Sequence, residues 1–201
     1  MPSSLPSNGD CQKVIFLDRD GVINQDSPEY IKSWHEFHFI FGSLDAMAAL
    51  TAAGFSIIII TNQSIIGRHM VAPATLADIH TRLKQCAKNH GAVIHDIFFC
   101  PHTPEDHCAC RKPNPGLILE ACRIHGIDPA QSIMIGDSAK DVLCARRGGC
   151  GRAVLVQTGN GISAQKQLAA IQMQPDHVAP DLLSAAGWVM DTWTATALMH
   201  S

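Results

Sequence analysis

This sequence predicts a doubly wound α/β fold on a mostly parallel sheet, and three observations carry that expectation. Short apolar, β-branched runs recur along the chain without polar alternation, as strands buried on both faces require. Helical patterns that stop at glycine separate them, the usual signal of a helix C-terminus. Chemically capable side chains stand at the ends of the runs, where open α/β sheets bind ligands.

Each element follows from its residues. Val14-Ile15-Phe16-Leu17 is the first predicted strand and ends at Asp18. A helix is predicted from Ser43 to Ala53, stopping at Gly54, and a second strand over Ile57-Ile58-Ile59-Ile60 ends at Thr61. The next helix, Ala74 to His90, stops at Gly91, and Ile97-Phe98-Phe99 ends at Cys100. Pro115 to His125 stops at Gly126, and Ile133-Met134-Ile135 ends at Gly136-Asp137. Ala139 to Arg147 stops at Gly148, Val154-Leu155-Val156 follows, and Trp188, Met190 and Trp193 read as the packing face of a last helix. Alternation with short connections is the signature of the doubly wound class. The connections after Asp20 and after Thr61 are too short for a separate cap domain.

Composition bounds the function. At 201 residues, 46% hydrophobic and 16% charged, the chain can bury a core, which excludes a disordered protein. A net charge of −3 provides no basic field for nucleic acid or an anionic membrane. No apolar run approaches the ~20 residues of a transmembrane helix. Residues 1–10 are Ser/Pro/Gly/Asn-rich and read as a flexible leader rather than a signal peptide, with residues 11–201 as a single domain. A cytoplasmic monomer with reduced thiols is expected.

The chemistry begins at Asp18-Arg19-Asp20-Gly21. Two carboxylates two residues apart at a strand end, joined by Asp137 and Asp141 at another, repel unless a cation lies between them, and hard oxygen ligands suit Mg²⁺. Beside such a metal an Asp can act as nucleophile, and a second can protonate the leaving oxygen and then activate water. Thr61-Asn62-Gln63-Ser64 offers a phosphate cradle, and Arg111-Lys112 supplies two cations at a helix start,. Isolated, each motif would be an ordinary turn or a solvated patch; together at strand ends they form a site.

Three of the 8 cysteines cluster: Cys100-Pro101-His102 and Cys108-Ala109-Cys110 are two pairs with one residue between members. In extended backbone such residues face one side, so three thiolates and one imidazole can close a tetrahedral, structural zinc site. His107 is the alternative imidazole but lies outside the pair geometry. Cys11, Cys86, Cys122, Cys144 and Cys150 read as ordinary small residues. The loop has little apolar material to fix its own shape, so an ion would orient Arg111 and Lys112.

These motifs, in order, resemble those of the haloacid dehalogenase (HAD) superfamily of phosphohydrolases. Phe-Leu-Asp-Arg-Asp-Gly, Thr-Asn-Gln-Ser and Cys-x-Cys-Arg-Lys-Pro are similar to the heptose-1,7-bisphosphate 7-phosphatases and their relatives, the histidinol-phosphate phosphatases. The resemblance implies an HAD-like Rossmannoid fold with a zinc loop at 100–110. It makes Asp18 the nucleophile, Asp20 the general acid/base, and Thr61 and Lys112 the stabilisers of the transferring phosphoryl group. Mg²⁺ would be held by Asp18, the backbone carbonyl of Asp20, and Asp137; Zn²⁺ by Cys100, His102, Cys108 and Cys110. Arg19, Asn24, Asp26, Asn62, Gln63, Ser64 and Arg111 would face a small phosphorylated sugar. The implied reaction belongs to nucleotide-activated heptose synthesis for lipopolysaccharide, with histidinol-phosphate hydrolysis as the alternative. One departure is Ser138, where some of these phosphatases carry Lys. A non-catalytic zinc-stabilised binding module is the rival class; it would be expected to have lost one of Asp18, Asp20, Lys112 or Asp137, and all four are present.

Overall fold

The apolar runs form the strands expected of them, but Ile97-Phe98-Phe99 lies on an edge strand, half-buried to exposed rather than buried on both faces. In the computed structural model, which describes residues 13–198, the strands are β1 (Val14–Leu17), β2 (Ser56–Asn62), β3 (Ile94–Cys100), β4 (Ser132–Gly136) and β5 (Arg152–Val156). A sixth, β6 (His177–Ala179), was not foreseen. The proposed leader and Cys11 lie outside the described residues.

All neighbouring strands pair parallel in the order β3-β2-β1-β4-β5-β6, so the expected "mostly parallel" sheet is parallel throughout. Thr61 and Cys100 fall within the last residues of β2 and β3 rather than just beyond them. The chain winds outward from β1 to β3, then returns to place β4 on the other side of β1. Right-handed crossovers therefore put helices on both faces. On one face lie α1 (Ser43–Ala52), α2 (Pro73–Asn89) and α6 (Leu182–Leu198), and on the other α3 (Gly116–His125), α4 (Ala139–Gly148) and α5 (Gly161–Ala170).

Alternation along β1 divides the core. Ile15 and Leu17 join the α1/α2/α6 layer, whereas Val14 and Phe16 join the α3/α4/α5 layer. The four isoleucines of β2 are all 0% exposed, which is why the run lacks polar alternation.

The connection from β1 to α1 carries a short 3-10 turn at Trp34–Glu36 and two isolated bridges, Asp20 to Asn24 and Asn24 to Phe39. Trp34, Phe37 and Phe39 pack their rings together over it, with centroids 4.9 to 6.2 Å apart. No separate cap is built there among the described residues. Gly149 takes the left-handed conformation after α4, so the Gly148–Gly151 stretch ends a helix. Among the described residues, no helix is long and apolar enough to cross a membrane.

Candidate active site

The switch of winding direction between β1 and β4 opens a crevice at the carboxyl ends of the strands. Parallel register sets Leu17 beside Ile135 and Ile59, and the Asp18 amide donates to the Ile135 carbonyl at 3.0 Å. Asp18, Thr61 and Asp137 therefore arrive together. The crevice encloses about 330 Å³, and its walls include Asp18, Asp20, Asn62, Lys112, Asp137 and Lys140.

Lys112 organises the charges. Its Nζ lies 2.8 Å from Asp18 Oδ1 and 2.6 Å from Asp141 Oδ1, and it donates to the Ile60 carbonyl at 2.8 Å. Burial would lower its pKa, but Asp141 and Asp18 outweigh that and raise it, so the ammonium stays charged. Asn62 fixes its backbone in both directions: the Lys112 amide donates to Asn62 Oδ1 at 3.0 Å, and Asn62 Nδ2 donates to the Lys112 carbonyl at 3.2 Å.

Asp18, Asp137 and Asp141 form a set whose oxygens all lie within 4.8 Å of one another. Asp141 is already occupied: Oδ1 takes Lys112, and Oδ2 accepts from the Ser138 hydroxyl at 2.7 Å and the Ser138 amide at 2.9 Å. Ser138 thus caps α4 with Asp141 while it lines the crevice. Burial raises Asp18 well above the carboxylate range, against the opposing pull of Lys112 and with help from Asp141 and Asp137. Burial and the Asp141 charge raise Asp137 to about 6. Two desolvated carboxylates with free oxygens, in a set of three acids offset by the single Lys112 between Asp18 and Asp141, match the donor chemistry of Mg²⁺.

Asp137 is also closely walled. A Cβ added to Gly21 or to Gly159 would lie 2.2 Å from Asp137 Oδ2, and both glycines have positive φ, so neither position accepts a side chain. The Asn160 amide donates to that same oxygen at 2.7 Å. The β5–α5 loop carrying Gly159 and Asn160 belongs to the crevice although its residues were not expected there; their position at a fifth strand end was the available signal.

Asp20 sits beside the triad with both oxygens engaged. Oδ1 accepts from Arg19 Nε at 3.1 Å, Arg19 Nη2 at 2.9 Å and Asn24 Nδ2 at 2.8 Å; Oδ2 accepts from Arg19 Nη2 at 2.9 Å and Gln63 Nε2 at 2.8 Å. Burial would raise this carboxyl, but Arg19, Asn24 and Gln63 prevail and hold it below its ordinary value. Gln63 Nε2 also donates to Thr61 Oγ1 at 2.9 Å, linking Asp20 to the end of β2.

Arg19, 1% exposed, still lines the crevice, and Asn24 is 0% exposed; both side chains are turned onto Asp20. A sequence position gives no side-chain direction where the chain coils back on itself. Asp26 stays exposed and accepts from Asn160 Nδ2 at 3.3 Å. Gln63, Ser64 and Arg111 also line the crevice.

Cys100, His102, Cys108 and Cys110 converge as one group, and His107 is not part of it. The sulfurs of Cys100, Cys108 and Cys110 are 3.2 to 3.5 Å apart, and His102 Nδ1 is 3.6 Å from Cys100 Sγ and 3.3 Å from Cys110 Sγ. A tetrahedron with ~2.3 Å Zn–S bonds has edges of about 3.75 Å, so the arrangement fits zinc after small outward shifts. Burial pushes up the Cys100 thiol, while hydrogen bonds from Cys110 and the Arg111 amide override burial at Cys108 and bring it to about 7. Arg111 Nη1 donates to the His102 carbonyl at 3.1 Å, so the cluster touches the crevice cation directly.

Known proteins share this fold and much of this sequence. A family model described as HAD-hydrolase-like matches residues 109–185. The D-glycero-β-D-manno-heptose-1,7-bisphosphate 7-phosphatase of Bordetella bronchiseptica is 45% identical over 149 residues, covering 74% of this chain and 83% of that protein. Its namesake in Neisseria meningitidis is 37% identical over 183 residues, 91% of this chain and 97% of that protein. The solved structure of D,D-heptose 1,7-bisphosphate phosphatase from B. bronchiseptica, complexed with magnesium and phosphate, superposes with a TM-score of 0.84 at 40% identity over 90% of this chain and 99% of that one. With the fold, the carboxylate set and these relatives in accord, the chain belongs to the D-glycero-β-D-manno-heptose-1,7-bisphosphate 7-phosphatase family of HAD-like hydrolases.

Proposed function

We propose that this protein is a Mg²⁺-dependent phosphatase that removes the 7-phosphate of D-glycero-β-D-manno-heptose 1,7-bisphosphate, acting as a cytoplasmic monomer in the synthesis of nucleotide-activated heptose. The observation that carries the reading is Lys112 held between Asp18 and Asp141, with Asp20 poised beside them. A binding module has no use for a nucleophile, a charged lysine and a second carboxylate assembled in one crevice.

Asp18 and Asp137, with the Asp20 carbonyl implied by the family resemblance, would hold Mg²⁺, which neutralises phosphoryl charge when bound. Asp18 attacks phosphorus, and the bond to the sugar oxygen breaks. Asp20 donates the proton that this oxygen needs, then takes one from the water that cleaves the aspartyl-phosphate. In the arrangement described, Asp20 is held as a carboxylate, the form needed for the second step; it must take up a proton before the first. Lys112 and Thr61 meet the charge on the phosphoryl oxygens. Arg111, with Asp26, Asn62, Gln63 and Ser64, faces the rest of the sugar. Zn²⁺ in the cysteine cluster would stabilise the loop that carries Arg111.

Steady-state turnover with Mg²⁺ on β-heptose 1,7-bisphosphate and on histidinol phosphate, measured side by side, tests the assignment. The bisphosphate is expected to show the higher kcat/KM, and Asp18→Asn to reduce its turnover at least about a thousandfold. A preference for histidinol phosphate would replace the substrate, and an active Asp18→Asn variant would remove the covalent mechanism.

A further inference from the structure

Arg19 is adjacent in sequence to the carboxylate it grips, and it is 1% exposed. A buried guanidinium has no water to complete its donors, so protein must do so. Nε and Nη2 are spent on Asp20. Nη1 points the other way, to Nε2 of His80 at 3.2 Å, 61 residues along the chain.

His80 lies on the buried face of α2 with Leu76, Ile79 and Leu83. Its ring meets Phe99 edge to face at 5.7 Å between centroids, and the Phe37 ring covers the guanidinium, 5.8 Å from Cζ. Arginine offers donors and no acceptor, so His80 can be its partner only through a bare Nε2, with the ring proton on Nδ1. Burial and the Arg19 charge lower this imidazole to about 3, which keeps it in the accepting form at neutral pH.

We propose that His80 is a positioning residue: by accepting from Arg19 Nη1 through Nε2, it fixes the guanidinium that orients the Asp20 carboxylate toward the leaving oxygen. The inference rests on the reading of Asp20 as the general acid/base. His80 touches no reacting atom. Without its acceptor, a buried Nη1 hydrogen is orphaned; the guanidinium then turns to find another partner and loosens its hold on both Asp20 oxygens.

Leaving-group dependence separates this role from a structural one. An alkyl phosphate departs as a strongly basic oxygen and needs the acid, whereas p-nitrophenyl phosphate departs as a stable phenolate and does not. With Mg²⁺ present, His80→Leu is expected to lower kcat/KM about tenfold on the heptose bisphosphate and less than about twofold on p-nitrophenyl phosphate. In His80→Gln the amide oxygen takes the place of Nε2, and the bisphosphate value is expected to recover to within about threefold of wild type. Equal losses on both esters, or a glutamine variant as impaired as the leucine one, overturn the proposal.

Asp20→Asn run in parallel distinguishes the two readings. If it shows no leaving-group discrimination, the assignment of Asp20 fails, and the role of His80 with it. If it discriminates and His80→Leu does not, only the His80 inference fails. A measurement on the unmodified protein covers the case of a variant that does not fold. Nitrogen-15 NMR should find His80 as the Nδ1–H tautomer from pH 6 to 8, and the Nε2–H tautomer would exclude it as an acceptor.

Discussion

Lys112 and His80 are both buried titratable residues, and their surroundings move them in opposite directions. Burial opposes charge at each. At Lys112 two carboxylates overcome it, while at His80 the nearest charge is Arg19, which adds to it and takes the ring to about 3. A histidine neutral in the folded state binds a proton on unfolding at any pH between about 3 and 6.5, so the unfolded state holds more protons there. Stability therefore falls as pH falls below about 6.5, and the contribution is fully present above it. Urea unfolding of wild type and His80→Gln at pH 7 and pH 5 should show the variant losing less, by about 2 kcal/mol. Identical losses would mean that the imidazole is protonated in the fold. His80 was not legible in the sequence, because it sits at a regular apolar position of α2, among residues that read simply as core. Asp18, Asp20, Lys112 and Asp137 were legible, because each follows or faces the end of a buried run.

At the scale of elements, legibility tracked apolar continuity. β1, β2, β4 and β5 are unbroken buried runs, whereas β6 is three residues long with one fully buried. The missed helix α5 buries only Gly161, Ala164 and Leu168, too small a stripe to stand out as a period. The cysteine loop was legible for another reason: ligand spacing does not depend on apolar content. Between Cys100 and α3 it has only the short 3-10 turn Pro104–Asp106, closed by Thr103 and Asp106. Its two cations are anchored differently. Arg111 is tied to the His102 carbonyl in the cluster, but the Lys112 backbone is tied to Asn62 on β2. Loss of the zinc proposed for the cluster should therefore displace Arg111 more than Lys112. For Cys108→Ser, elemental analysis should show zinc below one per chain, with KM raised about tenfold and kcat lowered less than about threefold. Retained zinc with unchanged KM, or a loss confined to kcat, would refute this coupling.

At the scale of the whole molecule, the two core layers share every side of β1, β2 and β4. Ile15, Ile57, Ile59, Ile133 and Ile135 belong to one layer, and Phe16, Ile58, Ile60 and Met134 to the other. Neither layer can be exposed without opening the sheet that forms the floor of both, so we propose that the chain unfolds as one cooperative unit. The molecule carries separate reporters for the two faces. Trp34, Trp188 and Trp193 pack against the α1/α2/α6 layer, and these are the 3 tryptophans of the sequence. Cys144 and Cys150 are buried in the opposite layer, 0% and 7% exposed. Tryptophan fluorescence and thiol protection of these two cysteines, followed through one urea titration, should give coincident midpoints. Mg²⁺ should move both midpoints upward together, because Asp18 and Asp137 extend from β1 and β4 at the centre of the sheet, and a ligand bound only to the folded state stabilises whatever unfolds with its site. Two separated midpoints, or a Mg²⁺ shift seen by one reporter alone, would divide the molecule into independent layers and refute the single unit.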